Sequence, residues 1–393
     1  MPRFLPGKRG NTMYIKDDIK YIGVNDKRID LFESMFPVPN GMAYNSYVVL
    51  DDKIAVIDTM EQHFRAEWEE KLEEALSGRK PDYLIVHHME PDHSANIKYF
   101  LDKYPEAKVA ASKQAFNMMQ NFFGTNFADR QIVLADGSEI ELGKHKLCFV
   151  TAQMVHWPEV VMSYIPDLKL AFTADAFGKF GALDSDEPWD DEARRYYCGI
   201  VGKFGVQVQN LFKKLSALEI ETICSTHGPV LTGDLSHYFD LYNKWSSYTP
   251  EEDGVLIAFS SVYEHTKEAV FILRDELDKL GVKNEVYDIS RCDKYQAVAK
   301  AFQYSKMVLA TTTYYGDMFP TMRIFIRALQ DRLFKNRKVA FIENGTWAAQ
   351  AAAKMQAEIE PMGLEILPGK VTIKSSVTEE NKAQLAELAK ALA

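Results

Sequence analysis

The sequence is poor in cysteine. It has four in 393 residues, Cys148, Cys198, Cys224 and Cys292, and no two form a Cys-x-x-Cys pair. That scatter excludes a disulfide framework, a zinc ribbon and a four-thiolate iron site carried on this chain, and reads as small buried hydrophobes. Long apolar runs are missing too: none reaches the roughly 18 residues a membrane-crossing helix needs. Positive charge is in deficit, with 46 Lys and Arg against 56 Asp and Glu, a formal net charge of -10. No basic surface of the kind that binds nucleic acid or anionic membranes is expected. The first residues, MPRFLPGKRGNTMYI, are basic but lack the apolar core of a secretory signal. A start at Met13 would make the first twelve residues a mobile extension, and the cytoplasm is the expected compartment. Internal repeats and low-complexity tracts are absent.

What remains is an ordinary globular composition, 47% hydrophobic and 26% charged, long enough for two or three domains. Residues 43–59 read as a β-hairpin turning at DDK, 62–76 as an amphipathic helix and 82–87 as a short buried strand. Strand patterns follow at 108–111, 131–134, 146–151, 160–165 and 168–173, with helices at 94–103 and 112–122. Short strands with few early helices predict a layered α/β sandwich with mixed sheets. A helical stretch at 188–215, a strand at 219–225 and a helix at 236–247 lead to TPEEDG, which reads as a linker. Beyond it five apolar strands alternate with helices, the pattern of a doubly wound parallel sheet. The expected division is 1–248, a linker at 249–253, and 254–393.

The segment His87-His88-Met89-Glu90-Pro91-Asp92-His93 follows the buried strand at 82–87. In an extended loop alternate residues share a side, so His88, Glu90 and Asp92 can converge, and His93 can turn towards a second metal. His156, Asp175 and His227 each follow a strand, which gives ligands a fixed geometry. One histidine at a strand end is ordinarily a hydrogen-bonded core residue, and one aspartate before a helix an N-cap. The whole series in this order has no such explanation.

This order resembles the metallo-β-lactamase superfamily, whose hydrolases commonly carry His-x-His-x-Asp-His. Glu90 stands here in place of the second His. Imidazole-rich sites suit zinc, whereas added carboxylates are harder donors that support iron. The His-x-Glu-x-Asp-His loop resembles that of flavodiiron proteins (A-type flavoproteins), and the likeness runs from about Lys16 to the end of the chain. It implies a metallo-β-lactamase-like αββα sandwich followed by a flavodoxin-like domain. It also implies that His88, Glu90 and His156 bind one iron, that Asp92, His93 and His227 bind a second, and that Asp175 bridges them. In some members water displaces the ligand matching His93. His63, His87, His145 and His237 match no ligand position. Some members place a His over the metals in the segment matching Phe36–Asn45; this chain reads FPVPNGMAYN and has none. A proton donor would then come from elsewhere, with Tyr196 and Tyr197 as candidates.

The first strand of the C-terminal part ends in Ser260-Ser261-Val262-Tyr263-Glu264-His265-Thr266, just before a helix. Hydroxyls and free N–H groups at a helix start suit a terminal phosphate without Lys or Arg. Two more loops, Thr311-Thr312-Thr313-Tyr314-Tyr315-Gly316-Asp317 and Asn344-Gly345-Thr346-Trp347, follow the third and fourth strands. Both fall where doubly wound sheets bind ligands, and each offers an aromatic to flank an isoalloxazine and a glycine for close approach. Together the loops resemble flavodoxin and imply an FMN site at Ser260, Ser261, Tyr263, His265, Thr266, Thr313, Tyr314, Tyr315, Gly316, Asn344, Gly345, Thr346 and Trp347. Flavodoxins often read Ser-x-Tyr-Gly-Asn-Thr in the first loop, where this chain has Glu264 and His265, and often have Pro at the position of Thr312.

The resemblance implies an oxidoreductase that reduces O2 to water, NO to N2O, or both, with electrons from FMN and from a separate donor, rubredoxin or a reductase. It implies a head-to-tail homodimer, or a tetramer built from such pairs. A metal-dependent hydrolase with an accessory flavodoxin module is the rival reading, and a carrier with a structural metal domain is a second. Glu90, the flavin module and the complete ligand set weigh against both.

Overall fold

A computed structural model describes residues 7–9 and 12–393. The expected mobile extension falls largely outside the described residues; within it Gly7–Arg9 pairs antiparallel with residues 12–14. The chain divides into two compact units, Met1–Tyr197 with Val206–Tyr242, and Cys198–Gly205 with Asn243–Ala393.

The first unit is a sandwich of an eight-stranded and a six-stranded sheet. In the eight-stranded sheet, strands Ala55–Ile57, Tyr83–Ile85, Lys108–Ser112 and Gln131–Leu134 run parallel. The helices between them, Arg65–Leu76, Ile97–Lys103 and Lys113–Phe123, are the crossovers such strands require. The inner faces of the two sheets meet in one apolar core, in which Ile57, Ile85 and Ala110 lie with Phe149, Val161, Phe172 and Cys224. Burying each large side chain there contributes roughly 1.5–3 kcal/mol. Strands 131–134 and 146–151 have the bounds the sequence pattern suggests. The stretch at 188–215 is not one helix: Trp189–Tyr196 passes through a π turn at Tyr197–Val201 and a 3-10 turn before Gly205–Leu215 begins.

The second unit is a flavodoxin-like parallel sheet. Its spatial order is Asn284–Asp288, Glu252–Phe259, Tyr304–Tyr314, Lys338–Asn344, then Val371–Ile373. The order reverses at the first strand, the switch point where such sheets bind ligands. The linker reading needs correction, because Glu252, Asp253 and Gly254 already belong to the first strand. Glu252 pairs with Tyr304 across an irregularity in register, so polar composition misled where pairing at the start of an interior strand recruits the segment. The strand expected at 363–372 is two short ones, Glu365–Ile366 and Val371–Ile373.

Candidate metal centre and flavin site

The loop after strand Tyr83–Ile85 is held along its length. Asp58 Oδ1 accepts from the backbone N–H of His87 at 2.7 Å. Thr59 donates from its N–H and its hydroxyl to the carbonyl of His93, at 2.9 and 2.7 Å. Between them Glu159 accepts from the Met89 N–H at 2.8 Å. Glu90 is extended, and Pro91 then opens a helical turn, Pro91–Ser94, for which its ring is preset. His88, Glu90 and Asp92 therefore do not share one side, as an extended loop would have it. The turn carries Asp92 and His93 away from Glu90.

The seven side chains form two groups, His88, Glu90, His156 and Asp175, and Asp92, His93 and His227, with ligand-type atoms inside each group within 4.8 Å of one another. His156 Nε2 lies 2.9 Å from Glu90 and 3.0 Å from Asp175 Oδ2. His88 Nε2 is 3.5 Å from the same Asp175 oxygen. His227 Nε2 is 3.3 Å from Asp92 Oδ2, 3.3 Å from His93 Nε2 and 3.8 Å from Asp175 Oδ1. Asp175 thus turns one oxygen to each group. His227 Nδ1 donates to the Ala43 carbonyl at 2.8 Å, which leaves Nε2 free to ligate.

These atoms fit metal ions and little else. Both nitrogens of His88, both oxygens of Asp92, Nδ1 of His93 and Oδ2 of Asp175 are buried without a hydrogen-bond partner. Each such atom costs roughly 1–3 kcal/mol if nothing satisfies it. A protein core does not collect six of them in one place for packing, but two cations would satisfy the cluster. The charges are mutually tuned. Burial disfavours the imidazolium of His156, yet Asp175 and Glu90 outweigh it and push the group up to about 10. Burial, His227 and His88 together hold His93 well below its ordinary value. Burial also opposes the charge on Asp175, but His88, His156 and His227 keep its carboxyl well below the usual range.

Tyr196 is buried with its ring 5.5 Å from that of His227. Burial and the carboxylates of Asp175, Glu90 and Asp92 keep its phenol protonated. A Cβ at Gly178 would meet Asp175 O at 3.0 Å and Tyr196 Cε1 at 3.2 Å, so any larger residue there would press on both by a few tenths of an ångström. Tyr197 turns instead to Tyr242, at 5.2 Å between rings. Sequence reasoning missed three residues of this pocket. Phe32 and Tyr44 lie 5.5 and 5.7 Å from His227, ring to ring. Glu33 has an exposed flank, but its carboxyl sits against Glu90. Low-dielectric surroundings, then Glu90, push it up to about 8, with His156 acting in the opposite sense. A bound cation would reverse that balance. Among the other histidines, His87 is buried between Asp58 and Ser163, and His145 between Asp18 and Asp167. His63 and His237 pair with Glu61 and Asp190 nearer the surface.

In the second unit, Ser260 is buried and shares a 2.6 Å hydrogen bond with Thr311, while Ser261 Oγ accepts from the Lys267 N–H at 3.3 Å. Helix His265–Lys279 starts at Glu264, in left-handed conformation and without a cap from its own side chain. The Tyr263 carbonyl accepts from the His265 N–H and Ser261 from that of Lys267, so an anion at this positive helix end would share or displace these bonds. Thr266 is buried and His265 is exposed. The third strand runs on to Tyr314 and turns back through Tyr315 and Gly316, both at positive φ, into Asp317–Met318. Thr313 Oγ1 accepts from the N–H groups of Gln350 and Ala351, while Asn344 and Thr346 bond Ser375, so these side chains shape the loops. Tyr263, Tyr315 and Trp347 are 83%, 93% and 92% exposed. Three bare aromatics on three loops at one sheet edge are what a planar ligand would cover.

A family model described as "ODP family beta lactamase" matches residues 42–228. The chain is 26% identical to a nitric oxide reductase of Moorella thermoacetica over 90% of each chain. It superposes on the flavodiiron protein of Giardia intestinalis with a TM-score of 0.90 at 22% identity, covering 98% of both chains. The rubredoxin oxygen:oxidoreductase of Desulfovibrio gigas gives a TM-score of 0.89 at 21% identity, covering 97% of this chain and 98% of that one.

Proposed function

Because the chain belongs to the flavodiiron proteins, we propose that it reduces O2 to water, NO to N2O, or both, at two iron ions supplied with electrons by FMN. The observation that carries this is the paired cluster of seven side chains sharing Asp175. When bound, FMN passes electrons singly and the iron pair stores two for a diatomic oxidant. His88, Glu90 and His156 would hold one ion, Asp92, His93 and His227 the other, and Asp175 would give an oxygen to each. Glu90 supplies a hard donor where a hydrolytic zinc site would have imidazole, which disfavours the hydrolase reading. The Tyr196 hydroxyl, kept protonated, would donate a hydrogen bond into the pocket. Ser260, Ser261, Thr266 and the start of the helix at His265 would hold the FMN phosphate. Tyr263, Tyr315 and Trp347 would flank its ring.

The rest of the reading follows from composition and family. Electrons come from a separate donor, rubredoxin or a reductase. The protein works in the cytoplasm as a head-to-tail homodimer, without nucleic acid or membrane. Among the described residues no helix is long and apolar enough to cross a membrane. The functional division lies just before the strand that opens at Glu252.

The test is anaerobic reduction of the iron- and FMN-loaded protein, followed by parallel measurement of O2 and NO consumption. Consumption of neither overturns the reading. Asp175→Ala should abolish turnover and leave FMN bound; retained turnover removes the bridging role.

A further inference from the structure

Asp58, His87 and Ser163 form a chain of hydrogen bonds directly beneath the metal loop. Asp58 Oδ2 accepts from His87 Nδ1 at 2.6 Å, and Ser163 Oγ lies 2.9 Å from His87 Nε2. A carboxylate only accepts, so Nδ1 carries the hydrogen, and in the neutral ring the serine hydroxyl donates to Nε2. The trio has the composition of a nucleophile relay. Its members are 2%, 1% and 1% exposed, so no substrate reaches the serine. The other oxygen of Asp58 grips the His87 backbone N–H at 2.7 Å, and the His87 carbonyl accepts from the Val161 N–H at 3.0 Å. His87 is thus fixed at four atoms, by the residue that follows strand Ala55–Ile57 of one sheet and by strand Val161–Ile165 of the other, immediately before His88. Asp58 itself has a positive φ of 54, a conformation uncommon outside glycine that aspartate tolerates better than most side chains.

We propose that Asp58, His87 and Ser163 are a positioning clamp for His88, setting the direction from which its imidazole meets the first iron. His87 and Ser163 touch neither metal nor substrate; they act through the backbone of the next residue. The proposal rests on the diiron reading above.

The test uses protein loaded with iron and FMN. Ser163→Ala removes one bond and nothing else of size; Ser163→Thr keeps the hydroxyl. In Ser163→Ala, the protein should hold iron about 10- to 100-fold more weakly against a competing ferrous chelator, the range for lost outer support of a metal site. One of the two iron signals in the Mössbauer spectrum should shift. FMN content and the thermal midpoint of the metal-free protein should match the parent, and Ser163→Thr should restore retention and spectrum. His87→Ala should weaken iron further. The clamp is overturned if Ser163→Ala holds iron as the parent does with an unchanged spectrum. It is equally overturned if iron loss tracks a fall in the metal-free midpoint, or if threonine restores nothing. A parent protein that loads fewer than two irons overturns the diiron reading, and the clamp with it.

Discussion

At the scale of single residues, two side chains separate packing from chemistry. Trp347 is 92% exposed, so Trp347→Ala should change stability by no more than about 0.5 kcal/mol. If the indole stacks on the flavin, FMN binding should weaken about tenfold, equivalent to about 1.4 kcal/mol of lost stacking. Fluorescence titration of the apoprotein reads both variants, and equal affinity removes Trp347 from the ring site. Tyr196 is fully buried. Tyr196→Phe should keep iron, FMN and thermal midpoint while slowing turnover, whereas Tyr196→Ala should cost about 3–5 kcal/mol through the cavity it leaves. Turnover by Tyr196→Phe at the parent rate would remove the hydroxyl from the chemistry. The candidate ligands were legible because His, Glu and Asp in a tight loop have few other uses. Phe32 and Glu33 were not. They reach the pocket through a two-residue reversal at positive φ, Glu33 and Ser34, which has no glycine to announce it. Tyr44 and Phe32 look in sequence like any core aromatic.

At the scale of elements, helix Ala351–Ile359 starts without a side-chain cap of its own, but Glu343, at the end of the preceding strand, accepts from the Ala352 N–H at 2.9 Å. Lys370 and the Thr372 hydroxyl bond its other oxygen, each at 2.9 Å. Burial opposes the charge on Glu343, yet these partners outweigh it and hold the carboxyl below its ordinary value. A depressed carboxyl stabilises the fold fully above its unfolded pKa of about 4.3. That contribution is lost as pH falls through the folded value. The second unit should therefore lose stability below about pH 4 in the parent. Glu343→Gln should be less stable at neutral pH by about 1.5–3 kcal/mol and show a smaller loss on acidification. Thermal midpoints from pH 3 to 7 measure this, and parallel curves would contradict it. Elements with strong patterns were legible: the apolar parallel strands, and helix Ser236–Ser247 to the residue. Pairs such as Leu31–Phe32 with Phe36–Pro37 are too short to carry a period. The π turn at Tyr197–Val201 leaves helical spacing on both sides and so hides in a longer helix.

At the scale of the whole molecule, each unit has its own apolar core, and the candidate metal ligands all come from the first. Removing metal should therefore act on one unit. A cation present at a thousand times its dissociation constant stabilises by about 4 kcal/mol. Chelation should lower the melting transition of the first unit and leave that of the second, followed by flavin release, in place. Calorimetry with and without chelator checks it; two transitions moving together would show that the units do not melt separately. The division of labour was readable from the change of rhythm near residue 250, while the boundary itself was blurred by the strand that begins at Glu252.

Neighbouring residues 58 and 59 tether opposite ends of the ligand loop, one at His87 and the other at His93. A single-residue insertion or deletion in the strand that delivers them, Ala55–Ile57, would move both tethers together by one pleat and face them the wrong way. Such a lesion would leave every ligand codon intact and still dismantle the centre. A screen for inactive variants should therefore recover frame-preserving indels at this strand as readily as ligand substitutions.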